Sequence, residues 1–172
     1  MRLNLNIPAA LCSLTLWLAS PAMALPEDSS QPIHIGADSA SMNDRTGVTT
    51  YRGQVEIVQG TMKIRGDQVE LFRDANGEVN RIVSTGRPAE FEQQPKREDP
   101  LTHAYGLRME YLVNQQQVTI TEQARVEQGK DTFTGKRIVY KMNEAIVDAF
   151  SSENGDQRVQ MVIQPKQQGG EE

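Results

Sequence analysis

The chain has 172 residues, with 18 Lys and Arg against 23 Asp and Glu and a formal net charge of −5. Mild acidity without a basic stripe argues against nucleic acid as a partner. A single cysteine excludes an intramolecular disulfide framework, and an apolar share of 37% disfavours a thick multilayer α/β enzyme.

The first predicted element is an export signal. Met1-Arg2 carries one positive charge, and Ile7 to Ala19 is apolar and uncharged. Ala22-Met23-Ala24 then places small residues at −3 and −1 of a cut before Leu25, the order that signal peptidase reads. The apolar run is 13 residues, against about 20 needed to cross a bilayer core. Pro21 breaks it before the cut, and Cys12 lies inside the run, away from a lipid-attachment position. Cleavage after Ala24 removes Cys12, Trp17 and Arg2, leaving a chain with no cysteine and a charge of −6. The expected product is a soluble periplasmic protein held by packing and hydrogen bonds alone.

Residues 25–32 (LPEDSSQP) read as an extended polar arm, residues 33–163 as one β domain, and residues 164–172 as a flexible tail. Within the domain the apolar residues recur with period two: Ile33/Ile35, Val55/Ile57, Met62/Ile64, Val69/Leu71, Met109/Tyr111/Val113, Val118/Ile120, Ala124/Val126, Ile138/Tyr140 and Val159/Met161/Ile163. Such alternation makes strands with one apolar and one polar face. Expected turns fall at Asn43-Asp44, Gly60, Gly66-Asp67, 74–77, Gly86, 129–131, Gly135 and 154–156. Frequent short strands and no sustained helical stripe give an all-β sandwich, roll or barrel.

The chain also repeats. A shift of 69 residues carries Gln54, Gln59, Gly60 and Gly66 onto Gln123, Gln128, Gly129 and Gly135 with apolar parity kept. The template expected from this is strand, Gly turn, strand, Gly turn, strand, with each glycine supplying a tight reversal. Stacked units of this kind give an elongated roll. Its first strand (33–37) and last strand (158–163) carry little to blunt them, so head-to-tail strand addition is one reading. The other is that the arm and tail cover these edges.

Catalytic and metal chemistry find no support. His34 and His103 lack a partner at metal-ligand spacing, no serine sits in a nucleophile elbow, and Asp38 and Asp67 read as backbone caps at strand ends. The interior remains. Ile33, Ile35, Val55, Ile57, Ile64, Phe91, Tyr111 and Val113 form either a plain core or the lining of a slot for acyl chains. Each buried CH₂ contributes about 0.8 kcal/mol. Arg73, Arg87 and Lys96 would then stand at a rim facing phosphates.

Three stretches resemble a known family: Pro32-Ile33-His34-Ile35 with Ala37-Asp38; Tyr51 to Gly60 (YRGQVEIVQG); and Ile64-Arg65-Gly66-Asp67-Gln68-Val69. With Gly86 to Phe91 (GRPAEF) and the second repeat, they are similar to the OstA-like family over about residues 31 to 163. The resemblance implies a twisted, slightly open antiparallel β-jellyroll that carries lipopolysaccharide across the periplasm. Its groove would shield lipid A acyl chains, linking inner-membrane and outer-membrane complexes and contributing to outer-membrane assembly. It implies an LptC-like partner at the N-terminal edge, an LptD-like translocon at the C-terminal edge, and possible head-to-tail self-association. By position, it places Ile33, Ile35, Phe91, Tyr111 and Val113 on groove-lining strands and Arg73 near the rim. The short tail after Ile163 and glycine at 66 depart from the family pattern. A separate reading of the same edges is an assembly module that docks proteins by strand addition without transporting lipid.

Overall fold

Alternating faces on long strands, interrupted once near mid-length, set the architecture. The computed structural model describes residues 28–94, 99–152, 154–155 and 158–164. The signal segment, Lys96 and the tail beyond residue 164 lie outside them. Apart from two single turns of 3-10 helix at Asp28–Ser30 and Val113–Gln115, the regular structure is all strand. In chain order these are β1 (His34–Gly36), β2 (Ser39–Asn43), β3 (Val48–Gln59), β4 (Met62–Arg73), β5 (Val79–Gln93), β6 (Thr102–Leu112), β7 (Gln117–Gln128), β8 (Asp131–Lys141), β9 (Ile146–Phe150) and β10 (Gln160–Val162).

All ten form one antiparallel sheet. β3 to β8 pair in sequence order, β1 and β2 share the free side of β3, and β9 and β10 share the free side of β8. Each long ladder shifts register near mid-length, after Arg52 in β3, Arg65 in β4, Thr85 in β5, Tyr105 in β6 and Thr121 in β7, and the β4–β5 ladder shifts again between Phe72 and Arg73. The mid-length shifts line up across neighbouring strands as a crease, since bulges bend a strand and increase its twist.

The crease divides the sheet into two leaves. The first holds β2, β9 and residues 48–52, 68–73, 79–85, 108–112, 117–121 and 137–141. The second holds β1, β10 and residues 55–59, 62–66, 89–93, 102–106, 124–128 and 131–135. The leaves fold face to face. Ala104, the register partner of Phe91, lies seven residues from Tyr111 along β6, about 23 Å in a flat strand. Yet the Phe91 and Tyr111 rings are 6.4 Å apart. One apolar cluster draws its side chains from both leaves.

These findings correct the expected turns. Gly60 (φ 59°) and Gly129 (φ 61°) do reverse the chain between strands. Gly66, Gly86 and Gly135 instead lie inside β4, β5 and β8. They mark the crease, where leaves approach too closely for a side chain: a Cβ on Gly66 would overlap the Ser84 hydroxyl and sit 2.8 Å from the Thr85 carbonyl oxygen. The strands are therefore 11 or 12 residues in β3, β4, β7 and β8 rather than five.

The repeat itself holds and runs further than the glycines. β3 starts at Val48 and β7 at Gln117, β4 at Met62 and β8 at Asp131, each pair 69 apart. The backbone repeats too, with Gly53 and Gln54 at φ 82° and 42° matched by Glu122 and Gln123 at 63° and 59°. Other placements change. His103 lies in β6, Asp67 sits within β4 at the crease rather than at a strand end, and Val113 stands in a 3-10 turn after β6 rather than in a strand. β2 and β9 were not anticipated, because their short, largely polar or exposed runs show little alternation.

Candidate functional site

Between the leaves, side chains sort by distance from the crease. In the second leaf the middle row runs Ile35, Ile57, Ile64, Phe91, Ala104, Val126, Phe133, Met161, each the register partner of the next. It passes through eight strands, from β1 at one edge to β10 at the other, and every member is apolar. At about 4.8 Å per strand its length is about 34 Å. The facing row of the first leaf is Thr49, Leu71, Ile82, Tyr111, Val118, Tyr140 and Val147. Burial of each large member contributes about 1.5–3 kcal/mol.

The outer face of the second leaf is charged. Glu56, Arg65 and Glu90 are successive register partners, and Arg65 lies 2.8 Å from Glu56 and 3.7 Å from Glu90. Lys63 meets Glu92 at 3.0 Å, with His103 on the same carboxylate at 3.7 Å. Exposed pairs of this kind contribute little energy, but they keep that face in water and the apolar face inward.

The residues expected to line a slot converge here. Val55, Ile57, Ile64, Phe91 and Tyr111 are buried in the shared cluster, and Ile33, Ile35 and Val113 pack against it half-buried. Arg73, at the end of β4, donates from Nη1 to the buried Thr49 hydroxyl at 3.0 Å. Arg87 is not at the rim. It is exposed at the crease, beside an outward hollow of about 730 Å³ shared with Pro88, Tyr105, Leu107 and Arg125.

Away from the crease the second leaf ends in a row that sequence reasoning missed: Gln59, Met62, Gln93, Thr102, Gln128 and Asp131. Polar residues at inward parity, as in Phe91-Glu92-Gln93 or Thr102-His103-Ala104, were the available signal. This lip is where the arm docks. Asp28 accepts hydrogen bonds from the Thr61 backbone N–H and hydroxyl at 2.7 Å each and from Gln93 Nε2 at 2.9 Å. Gln59 Nε2 donates to the Gln31 carbonyl at 2.9 Å. Burial, and then the nearby Asp28 charge, push the Tyr111 phenol up to about 12. Burial also raises Tyr140, against the opposing effect of the neighbouring Thr102 hydroxyl.

The edges differ from the rest of the surface. Among the described residues, seven of the eight exposed large apolar side chains lie on or beside edge strands: Met42 at one edge and Ile146, Phe150, Val159, Met161, Val162 and Ile163 at the other. The described part of the arm docks on the lip, and Gln164 N–H reaches Asp131 Oδ1 at 3.2 Å.

Residues 34–146 match the family model described as LptA/(LptD N-terminal domain) LPS transport protein. The chain is 44% identical over 154 residues to the lipopolysaccharide export system protein LptH of Pseudomonas aeruginosa, covering 86% of this chain and 87% of that one. It is 32% identical over 167 residues to LptA of Escherichia coli K12, covering 96% and 88%. The crystal structure of LptH, described as the LptA homologous periplasmic component of the lipopolysaccharide transport device of Pseudomonas aeruginosa, superposes with a TM-score of 0.75. That match is 41% identical over 81% of this chain and 100% of LptH.

Proposed function

The chain belongs to the LptA/LptD N-terminal domain family of lipopolysaccharide transport proteins, and from that premise we propose that it carries lipopolysaccharide across the periplasm as one segment of a protein bridge. The observation that carries this reading is the unbroken apolar row from Ile35 to Met161, which opens toward both edges of the sheet. A core meant only to stabilise the domain would be closed at its ends. A row that reaches each edge can continue into another such sheet added strand to strand.

In this reading the slot between the leaves takes the acyl chains of lipid A by apolar contact alone, and the sugars stay in water outside the lips. The lining is Ile33, Ile35, Val55, Ile57, Ile64, Phe91, Tyr111 and Val113, with Arg73 at the end of the first leaf. The protein acts as a carrier without chemistry of its own. An LptC-like inner-membrane protein adds at the β1/β2 edge. An LptD-like translocon, or another copy of this chain, adds at the β9/β10 edge. Residues 1–24 are removed on export by a cut after Ala24.

The test is photocrosslinking in cells from Ile35 and Tyr111, with Glu56 on the outer face as control. Adducts with lipopolysaccharide are expected from the first two positions and not from the third. Equal labelling from all three, or none from the interior, would overturn the groove assignment and favour an assembly module that binds only proteins.

A further inference from the structure

Three polar atoms are stranded at the lip of the slot. Gln93 Oε1, Thr102 Oγ1 and Tyr140 Oη are buried and have no hydrogen-bond partner. Thr102 and Tyr140 are 0% exposed. Gln93 and Thr102 are register partners on β5 and β6, and the Tyr140 hydroxyl lies beside that of Thr102 from the opposite leaf. Leaving such an atom buried and unpaired costs about 1–3 kcal/mol, so three together at one lip point to a ligand.

Their chemistry specifies that ligand. Gln93 Nε2 donates to the Asp28 carboxylate at 2.9 Å. A carboxylate only accepts, so the amide NH₂ must face Asp28 and Oε1 must face inward. The free Gln93 atom is therefore an acceptor that needs a donor. The Thr102 and Tyr140 hydroxyls each have a proton to donate as well as lone pairs that can accept, so they can serve a ligand's acceptor. None of the three is charged, so a phosphate is a poor match and a neutral group with one N–H and one C=O a good one.

Resting on the carrier reading above, we propose that Gln93, Thr102 and Tyr140 form a subsite for the amide group that joins an N-linked acyl chain to its sugar. The amide N–H donates to Gln93 Oε1, and its carbonyl accepts from the Thr102 and Tyr140 hydroxyls. The chain then runs inward along the apolar rows. Asp28 is a positioning residue, since it fixes which end of the Gln93 amide faces the slot. An ester-linked chain offers the same carbonyl but no N–H, so it leaves Gln93 Oε1 unpaired.

The experiment compares binding of N-dodecanoylglucosamine and 6-O-dodecanoylglucose to the protein purified from the periplasm, by displacement of a fluorescent fatty acid. The amide compound should bind about tenfold more tightly, the effect of one satisfied buried acceptor. Gln93→Met should bring the two to equal affinity by weakening only the amide compound. Thr102→Val with Tyr140→Phe, which are close in shape to the originals, should weaken both compounds alike and keep their ratio. Equal affinities in the unsubstituted protein overturn the subsite, as they would if an ordered water held the three groups and neither compound displaced it. So does a preference that survives Gln93→Met. Failure to bind either compound or lipopolysaccharide overturns the carrier reading as well, which separates the two failures.

Discussion

Asp28 holds Thr61 at two points, accepting from its backbone N–H and its hydroxyl at 2.7 Å each across 33 residues of sequence. With the third bond from Gln93, this carboxylate ties the N-terminal arm to the lip of the second leaf. Charge-assisted bonds of this geometry are the strong ones. Asp28→Ala should therefore lower stability by about 1–3 kcal/mol and speed hydrogen exchange at the Thr61 amide far more than at Ile120 in the core. Urea melts and amide exchange check both. Unchanged protection at Thr61 would mean that the arm does not stay docked in solution.

The crease should be sensitive to single methyl groups. Gly66→Ala puts a Cβ against the Ser84 hydroxyl and the Thr85 carbonyl, whereas a Cβ on Gly36 meets nothing within 4 Å. Overpacking of this kind costs about 1–3 kcal/mol. Gly66→Ala is expected to lower the melting temperature clearly, and Gly36→Ala to leave stability within about 0.5 kcal/mol of the parent. Equal effects at the two sites would argue that close approach is not what places glycine at 66.

Alkaline pH should loosen the interior through Tyr111. Its phenol is raised to about 12 by burial and then by the Asp28 charge. In the unfolded chain tyrosine loses its proton near about 10, so above that pH the folded state holds more protons and stability falls as pH rises. The loss spans about pH 10 to 12 and amounts to about 2–3 kcal/mol. Tyr140, also raised by burial, acts in the same direction. Urea melts at stepped pH should show the decline, and Tyr111→Phe should make it shallower. A slope untouched by that substitution would place the titration elsewhere.

The β10 edge should govern self-association. Met161 and Val162 are both 52% exposed, and Ile163 beyond them is 66% exposed. A lysine on an edge strand blunts strand addition. Met161→Lys with Val162→Lys should shift the protein toward monomer in light scattering across a concentration series, with its β-sheet circular dichroism retained. Association that persists unchanged would assign the contact to another surface.

Residues 1–24 read in the sequence as an export signal, and both that reading and the cut after Ala24 stand as part of the proposal. Strand identity was legible too, because period-two alternation records which face of a strand meets water. Ile57, Ile64, Val69, Leu71, Ile120 and Ile138 were all read as inward, and all are buried. The 69-residue repeat was visible for the same reason, since duplicated units keep their parity.

What alternation cannot express is where a strand bends. Gly66 and Gly135 could serve a reversal or a crease, and only the register partners on both sides show that the chain continues through them. That difference turned the expected short hairpins into long strands folded over one line, and it brought Phe91 against Tyr111 from opposite leaves. The lip stayed hidden for a related reason. Gln93 and Thr102 are polar residues at inward positions on neighbouring strands, and their meaning depends on Tyr140 meeting them from the opposite leaf. Sequence alone fixes which way a side chain points within its own strand. The tertiary fold decides what it points at, because that depends on contacts between segments that local periodicity does not encode.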